Sequence, residues 1–183
     1  LERKKKMKNK VVMERLKDLK EVLNKAEITI IGHDNIDVDS VLSGVLLAKL
    51  LNFLKIKAHF AILQPVQQND TYEIVSALTN IKMKNYEEVY ESDTRNLFLV
   101  DHYETAHRGK VVGCIDHHPT EKENTYEFSY VRNSTATAYM IYELMKYANY
   151  PLNAEDAKLI IIAMMVDTTA FRSSKTIAEE VKL

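Results

Sequence analysis

Four short polar stretches carry most of the residues in this sequence that could act together on a substrate. Gly32-His33-Asp34-Asn35-Ile36-Asp37-Val38-Asp39-Ser40 follows the β-branched run 28–31. Asp101-His102-Tyr103-Glu104 follows the apolar run 97–100, and Asp116-His117-His118 follows 111–115. Asp167-Thr168-Thr169 closes the apolar run 159–166. Alone, each is an ordinary polar turn or cap. Together they form a set of carboxylates and imidazoles without a thiolate, which suits Mn²⁺, Mg²⁺ or Fe²⁺ and is also compatible with Zn²⁺. Crowded carboxylates raise one another's pKa unless cations lie between them. Two divalent ions resolve that conflict, and a metal pair can polarise a phosphoryl oxygen and activate a water. The expected reaction class is metal-assisted hydrolysis of a phosphoester or phosphoanhydride.

The elements that must gather these groups are legible from periodicity. Val12, Leu16, Leu19 and Leu23 predict an amphipathic helix over 11–25. Strands are expected at 28–31, 58–63, 97–100, 111–115 and 126–131. Helices are expected from Asp39 or Ser40 to about 54, over 71–79, from a Ser134 cap to about 147, and from an Asn153 cap through 166. This alternation predicts an α/β fold, an open, mainly parallel five-stranded sheet with helices on both faces. Ligands bind such sheets outside the carboxyl ends of the strands, where three of the four polar stretches fall.

Composition narrows the function. With 183 residues, 46% apolar and 28% charged, the chain is long enough for one domain with a real core. Cys114 is the only cysteine, so an internal disulfide framework and cysteine-rich zinc modules are excluded, and a reducing, cytoplasmic setting is expected. No apolar run reaches membrane-span length, and no signal peptide is visible. The four glycines form no dinucleotide or P-loop motif. Residues 1–10 hold six Lys or Arg and one acid (+5), leaving −6 on the remainder. An acidic body argues against bulk nucleic-acid binding. The basic leader reads as a solvated, partly disordered tail.

At this point the motifs resemble a known family. His33-x₃-Asp37-x-Asp39-Ser40, Asp101, Asp116-His117-His118 and Asp167 occur in the order seen in the N-terminal domain of DHH-family phosphoesterases. The resemblance covers about 27–175. Ser40 after the second Asp, Asp101-His102-x-Glu104, Ser134-Thr135-Ala136-Thr137 and the stretch from Asp167 to Ser173 are most similar to manganese-dependent family II inorganic pyrophosphatases and related exopolyphosphatases. The resemblance implies one metal on His33, Asp37, Asp101 and Asp167, and a second on Asp39, Asp101, His117 and Asp167. It also implies a nucleophilic water or hydroxide between them, His118 and His102 towards the substrate phosphate, and Asp116 orienting a histidine. Two divalent ions are expected, Mn²⁺ ahead of Mg²⁺ or Co²⁺.

Some residues depart from that pattern. Ile36 stands where the family has Pro, Tyr103 where the pyrophosphatases have Asn, and Ser173-Ser174-Lys175-Thr176 replaces a shorter Ser-Pro-Thr. Four carboxylates against two divalent ions leave the centre near neutral, so an anionic substrate needs further cations. Arg172 and Lys175 are the candidates, with Arg108 and Arg132 behind them. We expect a leader and helix over 1–26, the phosphoesterase domain over 27–172, and at 173–183 the start of a linker to a C-terminal substrate-binding domain. Starting at Leu1 and stopping at Leu183, the chain reads as an excised part of a longer protein. The expected substrate is small and phosphorylated, pyrophosphate first, with weak turnover by the chain alone and a homodimer left open. The rivals are a phosphodiesterase for short oligonucleotides or cyclic dinucleotides, and a catalytically weak regulatory or binding domain.

Overall fold

The computed structural model describes residues 2–23, 27–62, 70–79, 81, 96–105, 109–118, 120 and 125–182. Five strands form one parallel sheet in the order β2-β1-β3-β4-β5: β1 (Ile28–Ile31), β2 (Ala58–Ala61), β3 (Asn96–Val100), β4 (Lys110–Asp116) and β5 (Phe128–Val131). The described helices are α1 (Glu2–Leu23), α2 (Val38–Phe53), α3 (Asp70–Leu78), α4 (Thr137–Tyr147), α5 (Ala154–Asp167) and α6 (Ala178–Val181). The expected α/β fold with an open parallel sheet is what the chain adopts. No described helix is long and apolar enough to cross a membrane.

The main core lies between α1, α2, α4 and α5 and one face of the sheet. Leu19, Leu42, Leu46, Ile30, Phe98, Met140 and Leu159 all contribute fully buried side chains. Helix α2 is apolar nearly all round because it is packed on several sides, against α4, α5 and β2. The alternate residues Ile31, Leu97, Leu99 and Cys114 point to the other face and make a smaller cluster. Cys114 is thus a buried apolar filler. On that strand Val112 is an extra residue, since Leu97 pairs with Val111 but Phe98 pairs with Gly113. A Cβ at Gly113 would come within 2.8 Å of the Phe98 ring and 2.9 Å of the Phe128 Cβ and carbonyl oxygen, so the space there suits glycine.

Three local expectations are corrected. The basic leader is not a disordered tail: helix α1 starts at Glu2, because its Lys, Arg and Met residues are strong helix formers. Helix α2 is capped by Asp37, whose carboxylate accepts from the backbone N–H of Ser40 at 2.9 Å, rather than by Asp39 or Ser40. Ser134 does not cap α4. The cap position is Ala136, which has no side chain able to do it. By contrast, Asn153 caps α5 as expected, in a reciprocal pair with Asp156.

Candidate metal centre

Strand order sets the site. The chain leaves β1 for β2 on one side and returns to β3 on the other, so β1 and β3 flank the point where loops diverge above the sheet. His33 lies two residues beyond β1, Asp101 one beyond β3, and Asp116 is the last residue of β4. Asp37 and Asp39 follow at the start of α2, and Asp167 ends α5. Asp101 has a left-handed backbone, φ 67°, and its N–H donates to Ile115 O at 2.9 Å. Asp tolerates that region better than most residues, at a cost of about 1 kcal/mol. Residues Thr169, Ala170 and Phe171 are all left-handed too, at φ 51°, 56° and 64°. This turn reverses the chain just past Asp167 and is held by Thr168, whose hydroxyl accepts from Phe171 N at 2.9 Å.

Two groups of ligand-type atoms share Asp101. In one, His33 Nε2 lies 3.6 Å from Asp101 Oδ2 and 3.8 Å from Asp37 Oδ2. In the other, His117 Nε2 lies 3.4 Å from Asp101 Oδ1, 3.8 Å from Asp167 Oδ2 and 3.9 Å from Asp39 Oδ2. His117 Nδ1 is 3.1 Å from the Ser134 carbonyl. A carbonyl only accepts, so Nδ1 carries a proton, and in the neutral ring the lone pair is on Nε2, the nitrogen that faces the carboxylates. His117 Nε2, Asp101 Oδ2 and Asp167 Oδ2 are buried without any hydrogen-bond partner. Buried acceptors gathered in this way fit a cation among them, because each would otherwise stay unsatisfied.

The electrostatics agree. Burial pushes Asp39 up to about 6, against the two backbone N–H groups that hold its charged form. Burial and the neighbouring Asp39 charge push Asp101 up to about 7. Hydrogen bonding to Asp101 and Asp37 pushes His33 up to about 10, so without metal a proton sits where a cation would. Asp116 receives both the backbone N–H (3.1 Å) and Nδ1 (2.8 Å) of His118 on one oxygen, and this bond raises the His118 pKa. His102 donates from Nδ1 to Val100 O at 3.0 Å, and burial lowers its pKa.

The remaining sequence-predicted residues are placed as follows. His102 meets His33 edge-on, centroids 6.3 Å apart, and both line an open groove of about 510 Å³ with Asp34, Glu104, Thr105 and Tyr126. Lys175 Nζ is 3.1 Å from Asp167 Oδ1. Arg172 is exposed just past the left-handed turn. Arg132 is not available to a phosphate: its guanidinium donates to Tyr130, Asn133 O, Glu180 and Glu143. Arg108 lies outside the described residues.

Sequence reasoning missed the groups that hold the ligands. Asp39 accepts the backbone N–H groups of Thr137 (2.8 Å) and Ala138 (3.1 Å) and the Ser43 hydroxyl (2.9 Å), so it caps α4 from a distance. Thr137 Oγ1 donates to Asp101 Oδ1 at 2.9 Å. Ser43 was detectable four residues on from Asp39 along one helix face, and Ala136 was a helix start lacking its own cap.

Residues 27–166 match the DHH family, N-terminal domain. The manganese-dependent inorganic pyrophosphatase of Bacillus subtilis (strain 168) is 29% identical over 157 residues, covering 80% of this chain and 50% of that protein. The chain thus spans about half the length of the curated relatives it matches. An exopolyphosphatase-related protein from Bacteroides fragilis superposes with a TM-score of 0.71 at 18% identity, over 92% of this chain and 54% of that one. The exonuclease RecJ, bound to manganese, superposes with a TM-score of 0.51 at 20% identity, over 85% and 43%. At these identities the two structures share the fold.

Proposed function

We infer, since this chain belongs to the DHH family, that it is the metal-carrying part of a manganese-dependent phosphohydrolase whose first substrate is inorganic pyrophosphate. The observation that carries this reading is His117 Nε2, buried, without a hydrogen-bond partner and within 3.4–3.9 Å of three carboxylate oxygens from three separate segments. His33, Asp37 and Asp101 would hold one divalent ion, and Asp39, Asp101, His117 and Asp167 a second. Such ions supply Lewis acidity to phosphoryl oxygens and lower the pKa of a water. Asp39 has three hydrogen bonds already, two of them on Oδ1, so Oδ2 would be the oxygen left for an ion, and the helix it caps keeps it in place. Asp116 fixes His118 through Nδ1, which leaves Nε2 to hold a proton against a phosphate oxygen. We assign His102, Arg172 and Lys175 to the substrate.

The length of the relatives supports a second, C-terminal domain that would supply further phosphate-binding cations. The reading carries with it a cytoplasmic location and a small phosphorylated substrate. A second reading, cleavage of short oligonucleotides or cyclic dinucleotides, is favoured by the groove beside His33, whose lining includes the rings of Tyr126 and His102. The deciding experiment is hydrolysis of pyrophosphate, polyphosphate, pApA and cyclic di-AMP with Mn²⁺, Mg²⁺ and Co²⁺. Turnover of pyrophosphate with Mn²⁺ is expected, and turnover of nucleotides alone would overturn the first reading in favour of the second.

A further inference from the structure

Glu180, in the short helix α6, is buried to 2% exposure although it is a carboxylate near the end of the chain. Its Oε2 accepts the backbone N–H of Thr135 at 2.7 Å and the Ser134 hydroxyl at 2.9 Å. Its Oε1 accepts from Arg132 at 3.0 Å and lies 3.6 Å from Lys8 Nζ. The Thr135 N–H belongs to the same peptide unit as the Ser134 carbonyl, and that carbonyl accepts from His117 Nδ1. In a planar trans peptide the N–H and C=O point in opposite directions, and the chain has no described cis bond. A carboxylate and an imidazole therefore sit at the two ends of one peptide plane.

The geometry points to a positioning role for Glu180: it acts on His117 through the Ser134–Thr135 peptide, as a carboxylate acts directly on a metal-ligating histidine elsewhere. Negative charge at the N–H end polarises the amide and makes its carbonyl a stronger acceptor. A stronger acceptor holds the Nδ1 proton more firmly and makes Nε2 a better electron donor to a cation. The same contact ties the segment after the left-handed turn to the site. Ile177 N also donates to Thr135 Oγ1 at 3.0 Å, so 177–180 grips both sides of Thr135. Displacing this segment would loosen the peptide that orients His117. The proposal rests on the reading of His117 as a metal ligand.

The test uses Glu180→Gln, which keeps the shape and removes the charge. Glu143→Gln is the comparator. Glu143 shares Arg132 and Lys8 with Glu180, but no described hydrogen bond joins it to the Ser134–Thr135 peptide. In the metal-free protein, the His117 Nδ1–H proton signal of Glu180→Gln should move upfield and exchange faster with water. Its Mn²⁺ dissociation constant should rise about tenfold, the lower range for a partner behind a ligand. Glu143→Gln should leave both unchanged. Wild-type values in Glu180→Gln, or equal losses in both variants, would overturn the relay. Should Glu180→Gln not fold, the unsubstituted protein decides: Zn²⁺ added to it should shift the Glu180 carboxyl carbon and the Thr135 amide, and a stationary pair beside a shifted His117 overturns the proposal. If the wild type binds no Mn²⁺, the metal reading fails and the Nδ1–H signal alone judges the relay.

Discussion

The carboxylate of Asp39 accepts the backbone N–H of Thr137 at 2.8 Å, across 98 positions of sequence. One side chain thus closes the buried N-terminal end of α4 and stands beside His117. The two duties are separable by experiment. In chelator, Asp39→Ala leaves the Thr137 and Ala138 amides without their acceptor. A stability loss of about 2 kcal/mol is expected, between a lost helix cap and a buried unsatisfied donor, read from urea unfolding. Unchanged metal-free stability would refute the capping role.

Without metal, stability should fall as pH rises. Asp39 and Asp101 hold their protons to about 6 and about 7 when folded, against about 4 in an unfolded chain. Between those values the folded state binds more protons, so each unit of rising pH favours unfolding. His33, raised to about 10, adds stability that is complete below its unfolded pKa of about 6.5 and is lost towards pH 10. Melting temperatures in chelator should decline from pH 5 to 8.5. Mn²⁺ should raise them most at the alkaline end, where it competes with the fewest protons. A flat or rising chelated profile would contradict these assignments.

Ligand removal should be graded. Asp101 faces both groups of ligand atoms, whereas His33 faces one. His33→Ala is expected to keep one of two Mn²⁺ ions and Asp101→Ala to weaken both, counted by calorimetry or by the Mn²⁺ resonance signal. Equal stoichiometry in the two variants would show that Asp101 is not shared.

The chain alone should bind Mn²⁺ but turn over pyrophosphate slowly. Lys175 is engaged with Asp167 and Arg132 with two glutamates. Few described cations are therefore left for a phosphate chain, and charge-assisted bonds dominate such recognition. Steady-state phosphate release with Mn²⁺ is the measurement, and efficient turnover by residues 1–183 would sink the expectation.

The gathering of His33, Asp101 and Asp116 was legible because an open parallel sheet puts whatever follows each apolar run at the same edge. The acceptor geometry of His117 was not legible. It depends on the Ser134 carbonyl, and every residue type has a carbonyl. Asp39 as a cap was hidden for a related reason: its partners are backbone amides brought close only by packing. Arg132 looked like a phosphate cation because its acids, Glu143 and Glu180, lie 11 and 48 positions further along the chain, on different helices. The start of α1 was misjudged where charge was weighed ahead of helix propensity.

An all-parallel sheet also dictates when this site can exist. Parallel neighbours are never joined by a tight hairpin, so each pairing must wait for a long crossover to close. His33 meets Asp101, and His117 meets Asp167, only after β1, β3, β4 and α5 have docked. An unfolded chain offers Mn²⁺ only separate local stretches, such as His33–Asp39 and Asp116–His118, that never meet. Arrival of the ion should therefore mark the last stage of folding, and the ion should slow unfolding more than it speeds refolding.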